Sequence, residues 1–486
     1  SGMLSYVGRV NYSYDDKYLF EFMLRSDASA KFAPQNYWGM FPSWSAGWVI
    51  SDEKWFDKDK TKIDFLKIRG SFGILGKDNV NAWLWTQLYT RNPDKGPIFG
   101  TNSSTNTSAT IRMPKQGVNP DVHWDKTYKT NFGIDMAFLK NRMSANLDFY
   151  YDMGREMFAS HQGTSYYPNT VGIQPAPENF GEVDTYGVEL SLGWKDKIGK
   201  DMSYWVKLTT GYNDNKIRET GWKAAYDFDK LVRNERSDRG LWGYECIGMF
   251  RSYQEINEYF DKYSITKYLG NTKENVHPGM LIYKDVRGQY DESTGTFGPA
   301  DGIVDEQDYI KISHRASNPY GGTLNFGFSY KDFSISAQFG ASWGAYSLVP
   351  TTMRKESYSE YSNVSAMWKD MFVYEDIYDA NNIVTVAQNR NAKYPNIRYS
   401  SVNGAPSTFW KVSAATVQLR NMTVAYALPK EWLKIIGISS CRFNLTCQNV
   451  FNFLNPYPEG AWASWAGSYG YYPNLRKFTL GVNVSF

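Results

Sequence analysis

The acidic run Asp285 to Asp308, D-V-R-G-Q-Y-D-E-S-T-G-T-F-G-P-A-D-G-I-V-D-E-Q-D, holds the residues best suited to chemistry in this chain. Ca²⁺ takes carboxylate and carbonyl oxygens arrayed along a sharply turned loop. The second half, D-G-I-V-D-E-Q-D, follows that pattern. Asp301 is a side-chain ligand, Gly302 the sharp turn, Ile303 the carbonyl ligand, Asp305 the next ligand and Asp308 the closing carboxylate, with Asp285 as the opening one. Two departures count against it. Asp285 and Asp301 are far apart in sequence, so an insertion splits the loop. Asp308 is also shorter than the usual bidentate Glu. The competing reading is an Asp/Gly turn held by side-chain to backbone hydrogen bonds. A Ca²⁺ bound here would be structural, not catalytic.

The second group of candidates is aromatic. Trp462, Trp465, Tyr469 and Tyr471, with Tyr457 and Tyr472, crowd the segment 452–473. Flat rings with polar tips stack on sugar faces or clamp a peptide, and equally pack against a partner or form a membrane girdle. The four His (His123, His161, His277, His314) are scattered, and no G-x-S-x-G nucleophile elbow is present, so no enzyme is expected. Carboxylates such as Asp148 and Glu189 fall on polar strand faces, where they tune a lumen rather than act as an acid/base pair.

The elements that must position these groups are strands. Leu475 to Phe486 ends with Phe478, Leu480, Val482, Val484 and Phe486 alternating with Lys477, Thr479, Gly481, Asn483 and Ser485. Period-2 alternation gives a strand with one apolar face. The same pattern recurs at Tyr18–Leu24, Phe132–Phe138, Met143–Tyr151, Val188–Trp194, Leu324–Phe339 and Phe443–Phe451. It predicts roughly 14 to 16 strands of about 10 residues. Turns such as Asp15-Asp16-Lys17, Lys140-Asn141-Arg142, 196–200 and Lys331-Asp332 are short. The connections 92–123, 154–179, 215–240, 345–408 and 452–473 are long. Short turns at one end and long loops at the other are the pattern of an outer-membrane barrel.

Composition agrees. Of 486 residues 17% are aromatic, including 37 Tyr and 17 Trp, as interfacial girdles require. Mean hydropathy is −0.52, and no run is long and apolar enough for a transmembrane helix. A net charge of +3 makes no case for nucleic acid. Cys246, Cys441 and Cys447 cannot build a disulfide framework; the last two share a strand face too far apart to bridge. The chain opens at once into a strand with no signal peptide, as expected of a mature protein or a fragment.

Several segments resemble the SusC/RagA family of TonB-dependent outer-membrane transporters. They are Tyr6–Pro34, W-G-M-F-P-S-W-S-A-G-W-V-I-S-D-E (Trp38–Glu53), F-L-K-I-R-G-S-F-G (Phe65–Gly73), Asn119–Thr127, G-E-V-D-T-Y-G-V-E-L-S-L-G (Gly181–Gly193), L-R-N-M-T-V-A-Y-A-L-P (Leu419–Pro429), Cys447–Phe453 and the last strand. The resemblance implies that residues 1–486 are the C-terminal part of an all-β, antiparallel transmembrane β-barrel, roughly 22-stranded and plugged. The plug and first strands are then expected outside this chain, with Leu4–Tyr14 pairing to them rather than to Leu475–Phe486. It also implies energy-coupled import of an oligosaccharide or oligopeptide, contact with outer-membrane lipid, a SusD-like surface lipoprotein, and TonB acting through the plug. A compact D-x-N-x-D-G-x-I version of the acidic loop is common in that family. A passive porin-like or anchoring barrel is the alternative, and a soluble all-β hydrolase a third.

Overall fold

The alternation is realised as a long antiparallel sheet. The computed structural model describes residues 2–92, 110–112, 117–159, 175–220, 234–291, 293–355, 364–435, 437–455, 457–458 and 475–486. Thirteen strands are hydrogen-bonded in chain order: β1 (Met3–Tyr14), β2 (Tyr18–Ser29), β3 (Trp38–Val49), β4 (Ile63–Lys77), β5 (Asp125–Phe138), β6 (Met143–Ala159), β7 (Glu178–Ile198), β8 (Met202–Glu219), β9 (Tyr320–Tyr330), β10 (Phe333–Trp343), β11 (Thr416–Ala427), β12 (Ser440–Leu454) and β13 (Lys477–Ser485). The order ends at β1 and β13. Among the described residues no helix is long and apolar enough to cross a membrane.

Among the described residues the sheet has thirteen strands, and they are longer than alternation alone predicts. β7 has 21 residues. At about 3.3 Å per residue it is about 70 Å long, against an apolar band of about 25 Å. Sequence alternation marks only the lipid-level part of each strand. The turns are tight because their residues accept the left-handed region: Asp15 and Asp16 at φ 52° and 53°, and Lys140 and Asn141 both at 60°.

The chain forms two compact units. The first holds β1 to β6, nearly all of β7 and the outer part of β8. On one face of its sheet Phe20, Phe22, Trp44, Phe132 and Phe149 are exposed. Tyr14, Tyr18 and Trp48 close that face at the turn end, and the stacked pairs Tyr6–Trp38 and Tyr151–Tyr186 close it at the loop end. Register puts Glu21, Ser45, Arg69, Asn131, Asp148 and Glu189 on the opposite face. A small core of Phe32, Phe41, Val80, Val122 and Trp124 lies at the loop end.

The second unit holds the start of β8, β9 to β13 and the long connections between them. Tyr330, Phe333 and Tyr426 align at its turn end, and Tyr320 stacks on Trp343 at its loop end. The five apolar residues expected on the last strand are exposed, opposite Phe443 and Leu445. Regular alternation breaks at Asn449. That residue has φ 53° and lies by a register shift between β11 and β12. The extra residue is a β-bulge, which re-aims the strand.

The largest correction concerns the loops. The described part of 345–410, within what was expected as a long connection over 345–408, packs with the described part of 241–313 around a core that includes Tyr244, Phe250, Tyr268, Leu281, Tyr283, Phe372 and Trp410. Helix α1 (Tyr253–Tyr263) is capped by Ser252, whose side chain accepts from the Glu255 N–H, and buries Ile256, Tyr259 and Phe260. That is the spacing of one helical face. The Asn403 side chain, fully buried, accepts from Leu281 N–H at 2.8 Å and donates to the carbonyls of Gly279 and Asn396 at 3.0 and 2.8 Å. Arg354 is buried too, and donates to the carbonyls of Val349 and Gly404. The Asn403 bonds to Leu281 and Gly279 tie segments over 100 residues apart into one body.

The face assignment generates a prediction. Leu480→Arg puts a charge toward lipid and should destabilise the folded barrel by about 2–4 kcal/mol if near the midplane, whereas Thr479→Arg, one residue away on the other face, should be tolerated. Urea unfolding of the full-length protein in lipid vesicles, read by tryptophan emission, should give the lower midpoint for Leu480→Arg; a lower midpoint for Thr479→Arg would show that the faces are reversed.

Candidate functional site

Three regions bear on function. The first is the polar face of the first unit. Arg69 of β4 donates to Asp135 at 3.1 Å, Asp148 at 2.8 Å and Asn131 at 3.2 Å, and Asn146 donates to Asp135 at 2.8 Å. Asp148 and Glu189 are cross-strand partners, as alternation implies. One guanidinium thus neutralises two carboxylates on neighbouring strands. Beside it Ser43, Ser45, Ser71, Lys129, Asn131 and Asp152 line an open groove. Small hydroxyls and mixed charges present a hydrated wall with no nucleophile–base pair.

The second is the acidic loop. The insertion is a short hairpin, Tyr290–Asp291 with Thr296–Phe297, closed by Gly298 N–H donating to the Gln289 carbonyl at 3.0 Å. It returns the chain to its start, so Asp285 accepts from Gly302 N–H at 2.7 Å. Residues split in sequence are reunited. Gly302 makes the expected turn at φ 78°; a Cβ there would lie 2.5 Å from the Ser264 carbonyl oxygen. Ile303 pairs in parallel with Lys267. Asp301 accepts from Ile303 N–H and Asp305 from Gln307 N–H. Asp308, fully buried, accepts from the N–H groups of Val286, Arg287 and Asp305 at 2.7, 3.1 and 3.0 Å.

The fit to Ca²⁺ is poor. The carboxylates of Asp301, Asp305 and Asp308 face backbone N–H groups. Among the described residues no group of three or more His, Cys, Asp or Glu side chains converges as a metal site. Two buried oxygens, Asp285 Oδ1 and Gln307 Oε1, find no protein donor. The arrangement fits a backbone-bonded clasp, the simpler of the two sequence readings. Burial pushes the Asp308 carboxyl above the usual carboxylate range; burial first, then the Asp301 charge, does the same to Asp285.

The third region is aromatic. The expected ring cluster Trp462, Trp465, Tyr469 and Tyr471 lies outside the described residues. Sequence reasoning missed another. On the loop body Tyr399 stacks on His277 at 5.3 Å, His277 meets Tyr253 edge-on at 6.4 Å, Tyr253 meets Tyr374 edge-on at 5.6 Å, and the Arg390 guanidinium lies 4.2 Å over Tyr374. Beside it the hairpin Ile377–Tyr378 with Val384–Val386 leaves Ile377, Tyr378, Ile383 and Val384 exposed. Its members are spread over more than 140 residues, so no local sequence signal joins them. Tyr and Arg at an exposed apolar patch are what protein and cargo contacts use.

The clasp generates a prediction with a definite sign. A carboxyl raised above its unfolded value on folding stabilises below that unfolded value, and the contribution is lost as pH rises through the folded one. Mild acidification should therefore leave the loop protected, whereas a Ca²⁺ site would loosen as its ligands protonate. Asp308→Ala strips three backbone donors of their acceptor and should cost about 3 kcal/mol locally. Limited proteolysis at 286–300 should show faster cleavage in Asp308→Ala and no change with EDTA or at pH 5; EDTA-induced cleavage of the unmutated protein would restore the metal reading.

No protein-family model matches the sequence. Over 503 residues the chain is 26% identical to the TonB-dependent receptor SusC of Bacteroides thetaiotaomicron, covering all of this chain and 44% of that protein. It is 24% identical over 518 residues to a TonB-dependent receptor of Formosa agariphila, covering 99% of this chain and 46% of the relative. The structure of the RagAB peptide transporter superposes with a TM-score of 0.70 at 20% identity, over the whole of this chain and 48% of that one. The chain thus spans just under half the length of the relatives it matches, which are named as receptors and not as enzymes. Along its entire sequence and fold the chain is similar to TonB-dependent receptors of the SusC/RagA type, proteins of the outer membrane.

Proposed function

We propose that this chain is part of an energy-coupled outer-membrane importer of oligomeric nutrients, in which the loop body receives cargo delivered under a SusD-like surface lipoprotein. One observation carries the reading: the described loop-end connections form a packed body with its own core and a partly exposed aromatic strip. A passive pore needs no such body. A packed platform gives a partner a pre-formed surface, which lowers the ordering cost of binding. The polar groove around Arg69 suits a hydrated path for cargo or the face against which a plug packs. TonB would act through that plug, which together with the remaining strands would come from outside residues 1–486 and pair with β1 and β13. Among the described residues the outer edges of β1 and β13 have no strand partner, which supports this, because unsatisfied backbone groups at membrane depth cost several kcal/mol each.

The cargo class is oligosaccharide or oligopeptide. Rings carrying hydroxyl tips serve both. The likeness to a peptide transporter, at 20% identity, speaks to fold alone.

The Tyr253→Ala, Tyr378→Ala double variant tests the platform. Each ring lost should weaken the contact by about 1 kcal/mol. The full-length protein should assemble normally, while co-purification of the surface lipoprotein, growth on the cargo, or both decline. Unchanged growth and unchanged co-purification would overturn the platform reading.

A further inference from the structure

At the turn end of the first unit the lipid-facing row of rings does not stop with the strands. Tyr14 lies 6.3 Å from Tyr18, Tyr18 stacks on Trp48 at 6.4 Å, Trp48 meets Trp55 edge-on at 6.4 Å, and Trp55 meets Phe56 edge-on at 6.1 Å. Tyr14, Tyr18 and Trp48 belong to β1, β2 and β3. Trp55 and Phe56 belong to segment 50–62, which joins β3 to β4.

That segment is fixed in place. Glu53 accepts from the Tyr18 hydroxyl at 2.6 Å and from Trp48 Nε1 at 2.9 Å. Asp57 accepts from the Asp59 and Lys60 N–H groups, and Lys58 pairs with Asp52 at 2.9 Å. Yet Trp55 is 66% exposed, and Lys54 beside it is exposed too. A held, exposed indole continuous with a lipid-facing face has one natural neighbour. An indole has an apolar body and a polar N–H, and it sits best at the boundary between headgroups and acyl chains.

We propose that segment 53–56 is an interfacial anchor, with Trp55 and Phe56 seated in the headgroup–acyl boundary of the phospholipid leaflet at the turn end and Lys54 reaching phosphate. The occupant follows from continuity: the row begins on the established lipid face and passes into the segment without a gap. The second unit carries the same device independently. After β11, whose Tyr426 belongs to the lipid face, helix Lys430–Lys434 buries Leu433 and leaves Trp432 61% and Ile435 84% exposed. Both connections are longer than the tight turns elsewhere at that end, and both present rings where a turn would present none.

Depth measurement tests this on the full-length protein in bilayer nanodiscs of phosphatidylethanolamine and phosphatidylglycerol. Cys246, Cys441 and Cys447 are replaced by Ala, and a nitroxide is attached in separate variants at Trp55→Cys, Phe56→Cys and Trp432→Cys. Asp59→Cys is the water reference and Leu480→Cys the lipid reference. The ratio of oxygen to nickel-chelate accessibility should be several-fold higher at positions 55, 56 and 432 than at 59, and lower than at 480. Ratios at 55 and 56 equal to that at 59 would overturn the proposal. Because Phe56→Cys leaves Trp55 in place, a folding defect in the Trp55 variant cannot hide the answer.

Discussion

The structure depends on one constraint: a peptide group in hydrocarbon has no water to bond. Each unpaired N–H or carbonyl there costs several kcal/mol, so every strand at membrane depth needs a neighbour on both sides. Ladder pairing in chain order meets that demand for the interior strands from β2 to β12. The same requirement fixes side-chain pattern, because a pleated strand sends alternate residues to opposite faces. Lipid takes one set and the polar interior the other. Phe443, Leu445 and their partners Val482 and Leu480 are exposed to lipid without penalty, while Asn444 and Thr446 between them face polar neighbours.

Above the apolar band the constraint lapses, and ordinary globular physics takes over. The loop body is built like a soluble domain: a capped amphipathic helix, buried Tyr and Phe rings, and polar groups satisfied one by one. Tyr268 donates to the Leu281 carbonyl at 2.6 Å and accepts from Tyr283 N–H at 2.9 Å. Arg354 is buried with carbonyl acceptors, which accounts for a guanidinium held below its usual value by burial. A buried cation of this kind tolerates little rearrangement, because losing any acceptor leaves a desolvated donor. The loop body is therefore held by its polar groups as much as by its core.

This division explains what was legible in the sequence. The alternation of Leu324–Tyr330 into Phe333–Phe339 reads straight into the observed register, because lipid and lumen impose a strict period. Tight turns were legible for the same reason. The loop body was not. Its core joins Tyr244 to Trp410 across more than 160 residues, and none of its short strands exceeds four residues. No local period survives in such pieces. The aromatic strip of Tyr253, His277, Tyr374 and Tyr399 was invisible for that reason, while the cluster at Trp462 and Trp465 was visible because it is local.

The acidic loop shows how far a motif can be trusted when its spacing is broken. Asp285 lies well before Asp301 in sequence, yet the hairpin between them closes on itself and restores the contact. Loop closure costs grow only slowly with length, so an insertion whose ends meet leaves the surrounding geometry intact. The fit to a cation is poor in this arrangement. The side chains that a cation would need are turned onto N–H groups of Val286, Arg287, Ile303, Asp305 and Gln307. Carboxylates accept such donors strongly, so a clasp of this kind holds the loop without a metal ion. The same residues can serve either purpose; the direction in which the backbone presents its N–H groups decides between them, and the turn at Gly302 presents its own to Asp285.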